Sequence, residues 1–400
     1  MQQLIVFGED WGAHPSSTQH LMKHLQQQYE LVWVNSIGLR RPTFTVRDGK
    51  RLLAKAKSML KKTPSAPTSV SRSEFPVVEP KVIPWPSSSV ARKLNGALLK
   101  NLLSSFTSED KRPILWTSLP SAVDVVGKLN EKAVIYYCGD DFTSLAGVDH
   151  APVAVMEQEL VEKADLVIVA SQELAKKFPA DKTVVLEHGV DYEEFSSASK
   201  YSAPRPEDLK MGRPIVGFYG SIADWIDVEL IKSVAHKLPD WEFVFIGSVQ
   251  TDISAIKELP NISLLGPKPH NELPNYVAHW QVSWLPFRQC GQIDACNPLK
   301  LREYLALGKP IVSSEFPALE PYKQLVNTAT TAEEFVNAIE VAACDSPKLI
   351  SEKAMVSEVQ SWLDVEFLSS NTQLRRHSVS KESWRTKSEQ VHQLITLLRP

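Results

Sequence analysis

Long apolar runs are missing from this sequence. The longest, such as Ala133 to Cys138, fall far short of the ~20 residues that a membrane-spanning helix needs. The N-terminus also lacks the basic region, the long apolar stretch and the small-residue cleavage site of an export signal. We therefore expect a cytoplasmic protein without a transmembrane helix.

Cysteine is scarce as well. The chain has four cysteines, at Cys138, Cys290, Cys296 and Cys344. Their spacing fits neither a disulfide framework nor a CxxC zinc site. The spacing predicts free thiols in a reducing compartment.

Several motifs of hydrolases and metalloenzymes are absent. The sequence has no HExxH, no GxSxG and no DxD next to an apolar strand. These absences argue against a zinc protease, a serine hydrolase and a transferase that binds metal through DxD. We expect no metal site.

The chain also lacks a strong net charge. Lysine and arginine number 44 against 47 acidic residues, for a net charge of −3, so we expect no nucleic-acid partner. Residues 47–62 are an exception, with seven basic residues, one acidic residue and apolar residues at near-helical spacing. This segment fits an amphipathic helix on an anionic membrane, and it fits equally a solvated helix or loop.

Apolar strands and amphipathic helices alternate through most of the 400 residues, which predicts an α/β fold with parallel sheets. The length indicates two domains. Residues 196–213 are polar and rich in proline, and we expect the linker there. This gives a first domain over 1–200, a second over 201–377 and a last helix over 378–400.

The segment from Cys296 to Val312 predicts a loop, a helix and a strand. Asn297 is the expected N-cap, Pro298 the first helical residue and Gly308 the stop. A helix N-terminus with Lys300 in its first turn attracts a phosphate, and Glu303 offers oxygens to hydroxyl groups. These features predict a nucleotide site.

Other candidate site residues follow predicted strands. Gly220 and Ser221 follow 214–219, and Gly266 follows 262–265. Asp140 and Asp141 come after 133–137. In open α/β sheets ligands bind beyond the carboxyl ends of the strands, where glycine lets the backbone approach closely.

A family resemblance rests on five segments. They are Glu187–Asp191, Gly217–Ser221 with Asp224 and Trp225, Asn271–Tyr276, Trp284–Phe287 and Pro298–Ser314. Together they resemble glycosyltransferases of the GT-B fold over nearly the full chain. The likeness is strongest to bacterial enzymes that build teichuronic-acid-type and other surface polysaccharides, near the retaining family four.

This resemblance implies two doubly wound, Rossmann-like domains that face each other across a cleft. The second would bind a nucleotide sugar, the first would bind the acceptor, and the C-terminal helix would cross back to the first domain. Retaining members commonly carry two glutamates eight positions apart. Here Glu303 is the second and Ala295 stands at the first, so retention and inversion both stay open.

The resemblance and the residue chemistry together give three sets of site residues. The donor-binding set is Gly220, Ser221, Leu265, Gly266, Lys268, Arg288, Asn297, Lys300 and Glu303. The catalytic candidates are Asp140, Asp141 and His14, with Asp140 or Asp141 as a general base if the reaction inverts. The acceptor-side candidates are Asp10, Trp11 and His188.

The expected activity is metal-independent hexosyl or glucuronosyl transfer, without a cofactor, from a UDP-sugar to a saccharide or lipid-linked acceptor. The enzyme would be cytoplasmic, and peripheral on the inner face of the plasma membrane if residues 47–62 bind lipid. Two alternatives stay open. One is a nucleotide-sugar 2-epimerase of the same fold, and the other is a non-catalytic glycan-binding subunit.

Overall fold

A computed structural model describes residues 1–13, 16–37, 74–108, 110–143, 149–200, 203–344 and 371–398. Two earlier expectations, His14 and the basic segment 47–62, lie outside these ranges. The chain divides into two compact units. The first unit comprises 1–186 and 390–400, and the second comprises 187–389.

The first unit is one parallel sheet with helices between its strands. The strands are β1 (Gln2–Phe7), β2 (Tyr29–Val34), β3 (Val77–Val78), β4 (Ile114–Thr117), β5 (Ala133–Cys138), β6 (Leu166–Val169) and β7 (Thr183–Val185). The helices are α1 (Ser17–Leu25), α2 (Ser89–Leu103), α3 (His150–Lys163) and α4 (Gln172–Ala175). The strand order β3-β2-β1-β4-β5-β6-β7 reverses between β1 and β4. Every residue of β4, β5 and β6 is buried, as expected for strands covered on both faces.

The second unit repeats this architecture with a different order. Its strands are β8 (Ile215–Tyr219), β9 (Glu242–Ile246), β10 (Ile262–Leu264), β11 (Val282–Leu285), β12 (Ile311–Ser313) and β13 (Asn327–Thr328). Its helices are α5 (Tyr192–Lys200), α6 (Val228–Lys237), α7 (Leu273–Ala278), α8 (Gly291–Ala295), α9 (Leu299–Leu307), α10 (Ala332–Cys344) and α11 (371–379). The strands pair in parallel in the order β10-β9-β8-β11-β12-β13. The order reverses between β8 and β11, and ligands of doubly wound sheets bind at such a switch point.

The predicted α/β class with two doubly wound parallel sheets is therefore confirmed. The last helix, α12 (Trp384–Leu397), starts in the second unit, and residues 390–400 group with the first. In the first unit His392 of this helix contacts the hydroxyl group of Tyr29 at 2.9 Å. Among the described residues no helix combines the length and hydrophobicity needed to cross a membrane.

The start of the second unit differs from the expected linker. Residues 192–200 form α5, which packs against α7 and α9. Phe195 is completely buried in the core of the second unit. The apolar face of α5 is thus covered by second-unit helices, which explains why the division falls before Glu187 and not near residue 200.

Candidate functional site

Helix α9 begins one residue later than expected. Pro298 has extended dihedral angles and caps the helix without a side-chain hydrogen bond, so the prediction of Asn297 as N-cap is wrong. The side-chain oxygen of Asn297 instead accepts a hydrogen bond from the guanidinium group of Arg302. Arg302 is 1% exposed, and a buried cation requires acceptors on its donors. This demand places Asn297 in the interior.

The end of α9 follows the prediction. Gly308 has φ 75°, and its N–H donates to Leu305 O at 2.8 Å. The N–H of Lys309 donates to Tyr304 O at 3.2 Å. These two bonds form a Schellman motif, which ends the helix before β12.

Lys300 presents a cation without an anion. Its Nζ lies 5.0 Å from the ring centre of Phe218 and 5.6 Å from that of Phe287. Among the residues that the structure describes, no acceptor forms a hydrogen bond or salt bridge with this ammonium group. Burial lowers its pKa, because the charged form is poorly solvated. An anionic ligand would stabilise the charged ammonium group in place of the missing water.

Three adjacent strands of the second unit end in glycine. Gly220, Gly247 and Gly266 follow β8, β9 and β10, with φ of 129°, 148° and 69°. The Gly220 N–H donates to Ile246 O at 2.8 Å and the Gly247 N–H to Gly266 O at 2.9 Å. We call these three residues the glycine strip. It gives this end of the sheet a bare backbone surface beside the switch point.

Two residues of the glycine strip have no room for a side chain, whereas Gly266 has open space around its Cβ position and is disfavoured for other residues only by its positive φ. A Cβ on Gly247 would lie 1.9 Å from the carbonyl oxygen of Gly220. A Cβ on Gly220 would lie 2.9 Å from Nζ of Lys300. The strip and Lys300 therefore form one surface, which brings together Gly220, Gly266 and Lys300 as expected and adds Gly247. The signal for Gly247 was its position directly after an apolar strand, shared with the other two.

Glu303 is 7% exposed and both of its carboxylate oxygens have a protein partner. Oε2 accepts a hydrogen bond from the Tyr219 hydroxyl group. Oε1 lies 2.7 Å from Nε2 of His270. Neither Tyr219 nor His270 was among the expected site residues, since each belongs to a segment distant in sequence from α9.

The two partners of Glu303 have shifted pKa values. Burial raises the pKa of the Tyr219 hydroxyl group well above its ordinary value, so this group is a hydrogen-bond donor at neutral pH. Burial lowers the pKa of His270, but the hydrogen bond and negative charge of Glu303 outweigh it, and the net shift is upward. Asp191 and Glu194 add to this rise.

Asp191, Glu194 and His270 also place one possible metal-ligating atom each within 4.8 Å of one another. The same negative charges stabilise a protonated His270 without any metal. Because His270 also binds Glu303, this group belongs to the surroundings of that carboxylate.

The other expected donor-binding residues form their hydrogen bonds or salt bridges with residues outside the glycine strip and Lys300. Ser221 lies 3.5 Å, oxygen to oxygen, from Ser248, and the Leu265 N–H donates to Phe245 O at 2.9 Å. Lys268 forms a 2.6 Å salt bridge with Asp208, so its charge already has a partner. Arg288 is exposed, and its backbone N–H donates to Trp225 O at 2.8 Å.

His188, expected on the acceptor side, belongs to the second unit and is 7% exposed. Its ring centre lies 6.4 Å from that of Trp384. Burial and the positive charges of Arg302 and Lys387 lower its pKa to about 3. His188 is therefore a neutral, packed imidazole near pH 7.

Asp140 and Asp141 follow β5 in the first unit but have different environments. Asp141 is buried, accepts from the Thr143 N–H at 3.0 Å and hydroxyl at 2.6 Å, and forms a salt bridge with Lys177. Burial raises the pKa of Asp141, yet these bonds outweigh burial and the net shift is downward. Such a carboxylate stabilises its turn.

Asp140 has an exposed side chain, and among the described residues none forms a hydrogen bond with its carboxylate. Desolvation of the carboxyl group and, to a lesser extent, the negative charge of Asp141 raise its pKa. Of the two acids, Asp140 has the properties of a proton acceptor, because its oxygens are accessible and its basicity is increased.

Asp10 and Trp11 follow β1, at the switch point of the first unit. Oδ1 of Asp10 accepts from the Ser36 N–H at 3.0 Å and from its hydroxyl group at 2.7 Å. The Trp11 ring packs edge-on against Trp33 and Phe75, at 4.8 Å from each ring centre. Both residues shape the loop, and Trp11 keeps a partly exposed indole.

A family model of known proteins matches part of the second unit. Residues 213–345, which contain the glycine strip, Lys300 and Glu303, match the family model described as Glycosyl transferases group 1. The match lies within the second unit and leaves the first unit outside it.

One curated relative covers more of the chain. It is a Bacillus subtilis (strain 168) protein assigned as the teichuronic acid biosynthesis glycosyltransferase TuaH, 30% identical over 236 residues. The match includes 54% of this chain and 59% of that protein, so the chain spans less than two thirds of this relative's length. The expected resemblance to surface-polysaccharide glycosyltransferases is confirmed.

Solved structures extend the likeness to the whole chain. The Anabaena protein HepE in complex with UDP-glucose has a TM-score of 0.65 at 13% identity, and the match covers 100% of both chains. Sucrose-phosphate synthase from Thermosynechococcus elongatus has a TM-score of 0.65 at 14% identity, over 99% of this chain and 98% of that one. At these identities the likeness shows the fold, which is GT-B as expected.

The low pKa of His188 predicts an acid-sensitive contribution to stability. The folded chain keeps this imidazole neutral down to about pH 3, whereas the unfolded chain protonates it near 6.5. Stability is therefore present above pH 6.5 and lost as pH falls from 6.5 towards 3. When the pH falls from 6.5 to about 5, the free energy of unfolding of the wild type should decrease by about 2 kcal/mol more than that of His188→Gln. Urea unfolding at both pH values measures this difference.

His236→Gln is the matched control, since His236 is an exposed imidazole on α6. It should keep the wild-type dependence on pH. Equal pH dependence in the wild type and His188→Gln would contradict the assignment of His188 as a neutral buried group.

Proposed function

We propose that this protein transfers a sugar from a UDP-sugar to a saccharide or lipid-linked acceptor in the synthesis of a bacterial surface polysaccharide. The observation that carries the proposal is the unpaired Lys300 ammonium group beside the glycine strip, within the segment that matches the model of group 1 glycosyl transferases. The relative TuaH, assigned to teichuronic acid biosynthesis, and HepE, solved in complex with UDP-glucose, support the substrate class.

A departing nucleoside diphosphate gains negative charge on its terminal phosphate. Without a metal ion, cations and backbone N–H groups must stabilise that charge. In our proposal Lys300 and the N–H groups at the start of α9 meet the phosphates, and the glycine strip lets the backbone approach them. A cation aimed at the leaving group stabilises the transition state more than the ground state, and this difference accelerates the reaction.

Glu303 would bind the ribose of the donor. It lies one turn after Lys300 on α9, and residues at this spacing lie on the same helix face. A nucleoside diphosphate presents its phosphates and its ribose hydroxyl groups on neighbouring positions, which matches a cation and a carboxylate one turn apart. Lys268 has a salt-bridge partner, so we assign the main phosphate charge to Lys300.

Asp140 would act as the general base in an inverting transfer. Its exposed carboxylate and raised pKa suit removal of a proton from the acceptor hydroxyl group. Asp141 would hold the turn through Thr143 and Lys177. Ala295 cannot supply the first glutamate of the retaining pattern, and this substitution is the reason to test the inverting route first.

We further propose that the first unit docks on an anionic membrane. Residues 38–103 carry fourteen basic and three acidic residues in a chain of net charge −3. In the part of this range that the structure describes, residues 74–103, four large apolar side chains are exposed to solvent: Trp85 (55%), Val90 (65%), Leu94 (50%) and Leu98 (46%).

The last three of these side chains form one face of α2, because they are spaced four residues apart. The exposed Lys93 and Lys100 border this face, and residues 81–103 contain no acidic side chain. A basic border around an apolar helix face suits an anionic lipid surface, and a membrane would present a lipid-linked acceptor to the first unit.

Removal of the Lys300 charge should weaken nucleotide binding through the phosphates. We expect Lys300→Met to raise the Kd for UDP about 10- to 100-fold, since a hydrogen bond to a charged group contributes about 1.5–3 kcal/mol. The Kd for uridine, which has no phosphate, should stay unchanged. Isothermal titration calorimetry measures both constants.

Lys232→Met is the matched control, because Lys232 lies on α6 of the same unit with a 43% exposed side chain. It should bind UDP as the wild type does. An equal loss for UDP and uridine in Lys300→Met would remove Lys300 from the phosphate site. Absence of any UDP binding by the wild type would contradict the choice of donor.

Asp140→Asn should abolish sugar transfer and leave the Kd for UDP unchanged, because an amide cannot accept the acceptor proton. The assay is release of UDP from a UDP-sugar panel in the presence of saccharide and lipid-linked acceptors. Asp141→Asn, the control, should mainly lower the free energy of unfolding of the first unit and have a smaller effect on turnover than Asp140→Asn.

Wild-type turnover in Asp140→Asn would remove Asp140 as base. Conversion of a UDP-sugar to its 2-epimer without any acceptor would favour the epimerase alternative.

The membrane proposal predicts a specific loss of vesicle binding. Leu94→Glu with Leu98→Glu should weaken binding to phosphatidylglycerol vesicles at least about tenfold, by removing apolar burial and adding repulsion. Val155→Glu is the control, since Val155 is 53% exposed on α3, and it should bind as the wild type does. Sedimentation at low and high salt measures the binding, and unchanged binding of the double variant would overturn this docking face.

A further inference from the structure

The carboxylate of Glu303 is held from two sides by separate parts of the second unit. Tyr219, the last residue of β8, donates to Oε2 through its hydroxyl group. His270, in a short 3₁₀ turn over His270–Glu272, lies 2.7 Å from Oε1 through Nε2. Two donors from different elements fix both the position of the carboxylate and the plane in which it lies.

Tyr219 is itself rigid. Its side chain is 5% exposed, and its ring centre lies 5.1 Å from that of Tyr304 and 6.2 Å from that of Trp280. Its backbone N–H donates to the Tyr304 hydroxyl group at 3.2 Å. The hydroxyl group that Tyr219 offers to Glu303 therefore has little freedom to move.

His270 is fixed in a different way. Its ring centre lies 5.5 Å from that of Phe195, which is completely buried. The charged groups around it are Glu303 from α9 and Asp191 and Glu194 from the start of α5. These carboxylates favour a protonated imidazole, which keeps a hydrogen on Nε2 for Glu303.

An ionised carboxylate accepts about four hydrogen bonds, and the two protein donors use one on each oxygen. One acceptor position on each oxygen is left, which suits a pair of adjacent hydroxyl groups. A free glutamate side chain loses up to about 2 kcal/mol of rotamer entropy when it is ordered by a ligand. In this protein the ordering is complete before the ligand arrives, which favours binding.

We propose that Tyr219 and His270 are positioning residues that orient Glu303 so that its remaining acceptor positions bind both ribose hydroxyl groups of the nucleotide donor. This inference rests on the proposed function, since it requires a ribonucleotide at Glu303. It deepens that function by assigning selectivity for ribose over deoxyribose to these two side chains.

The test compares UDP with 2′,3′-dideoxyuridine diphosphate, which has the same base and phosphates but no ribose hydroxyl groups. We expect Tyr219→Phe to raise the Kd for UDP about fivefold, the effect of one net hydrogen bond, and to leave the Kd for the dideoxy nucleotide unchanged. A merely structural role would affect both ligands alike.

His270 gives an independent second arm. His270→Leu should reproduce the selective loss, whereas His270→Gln, which keeps a side-chain N–H donor, should restore most of the affinity for UDP. Because the two residues belong to different elements, misfolding of one variant, seen by circular dichroism, does not prevent the test with the other.

Tyr136→Phe is the matched control. Tyr136 is a completely buried tyrosine of the first unit whose hydroxyl group donates to a glutamate, Glu157. The control loses the same kind of bond, and its affinity for both nucleotides should equal that of the wild type.

Glu303→Ala distinguishes a failure of the proposed donor site from a failure of the positioning role of Tyr219 and His270. If Glu303→Ala leaves the Kd for UDP unchanged, the donor site of the proposed function is misplaced. If Glu303→Ala weakens UDP but the Tyr219 and His270 variants do not, or if they weaken both nucleotides equally, positioning is overturned. Selective loss in all three supports the inference.

Discussion

The hydrogen bonding of the buried Arg302 guanidinium group is the interaction on which the position of helix α9, with Lys300 and Glu303, depends. Its Nε donates to Glu382 at 2.6 Å, one terminal nitrogen donates to Glu187 at 2.9 Å, and the other donates to Asn297. Loss of one partner would leave a buried charge unpaired, which costs about 3–5 kcal/mol. At 100° per residue, Arg302 points about 200° away from Lys300 on α9. Anchoring one face of the helix thus fixes the orientation of the opposite face, which carries Lys300.

The same network shows why part of the site could be predicted and part could not. Gly308, Lys300 and Glu303 follow from local rules, since a helix stop, a first-turn cation and a spacing of one turn depend on neighbours in sequence. The role of Asn297 did not follow, because its side chain serves Arg302 and the partners of Arg302 lie 115 and 80 residues away. For Asn297, the long-range requirement to neutralise Arg302 outweighs the local preference for a helix cap.

Asp140 and Asp141 illustrate the same limit within one dipeptide. The sequence presents two equivalent acids after a strand, and the two-residue spacing predicts the turn hydrogen bond that Thr143 donates to Asp141. The salt bridge that completes the difference comes from Lys177, on a later segment. Tyr219 and His270 were missed for a related reason, since neither residue carries a motif and their common partner, Glu303, becomes visible only in three dimensions.

The glycine strip has a consequence for how this protein can be diversified. A side chain at Gly247 would meet the backbone of Gly220, a side chain at Gly220 would meet Lys300, and at Gly266 only the positive φ disfavours a side chain. Replacement of Gly247 would therefore displace Gly220, so these two positions are coupled. A library that seeks new donor sugars should hold the strip constant and vary side chains that project freely, such as Arg288.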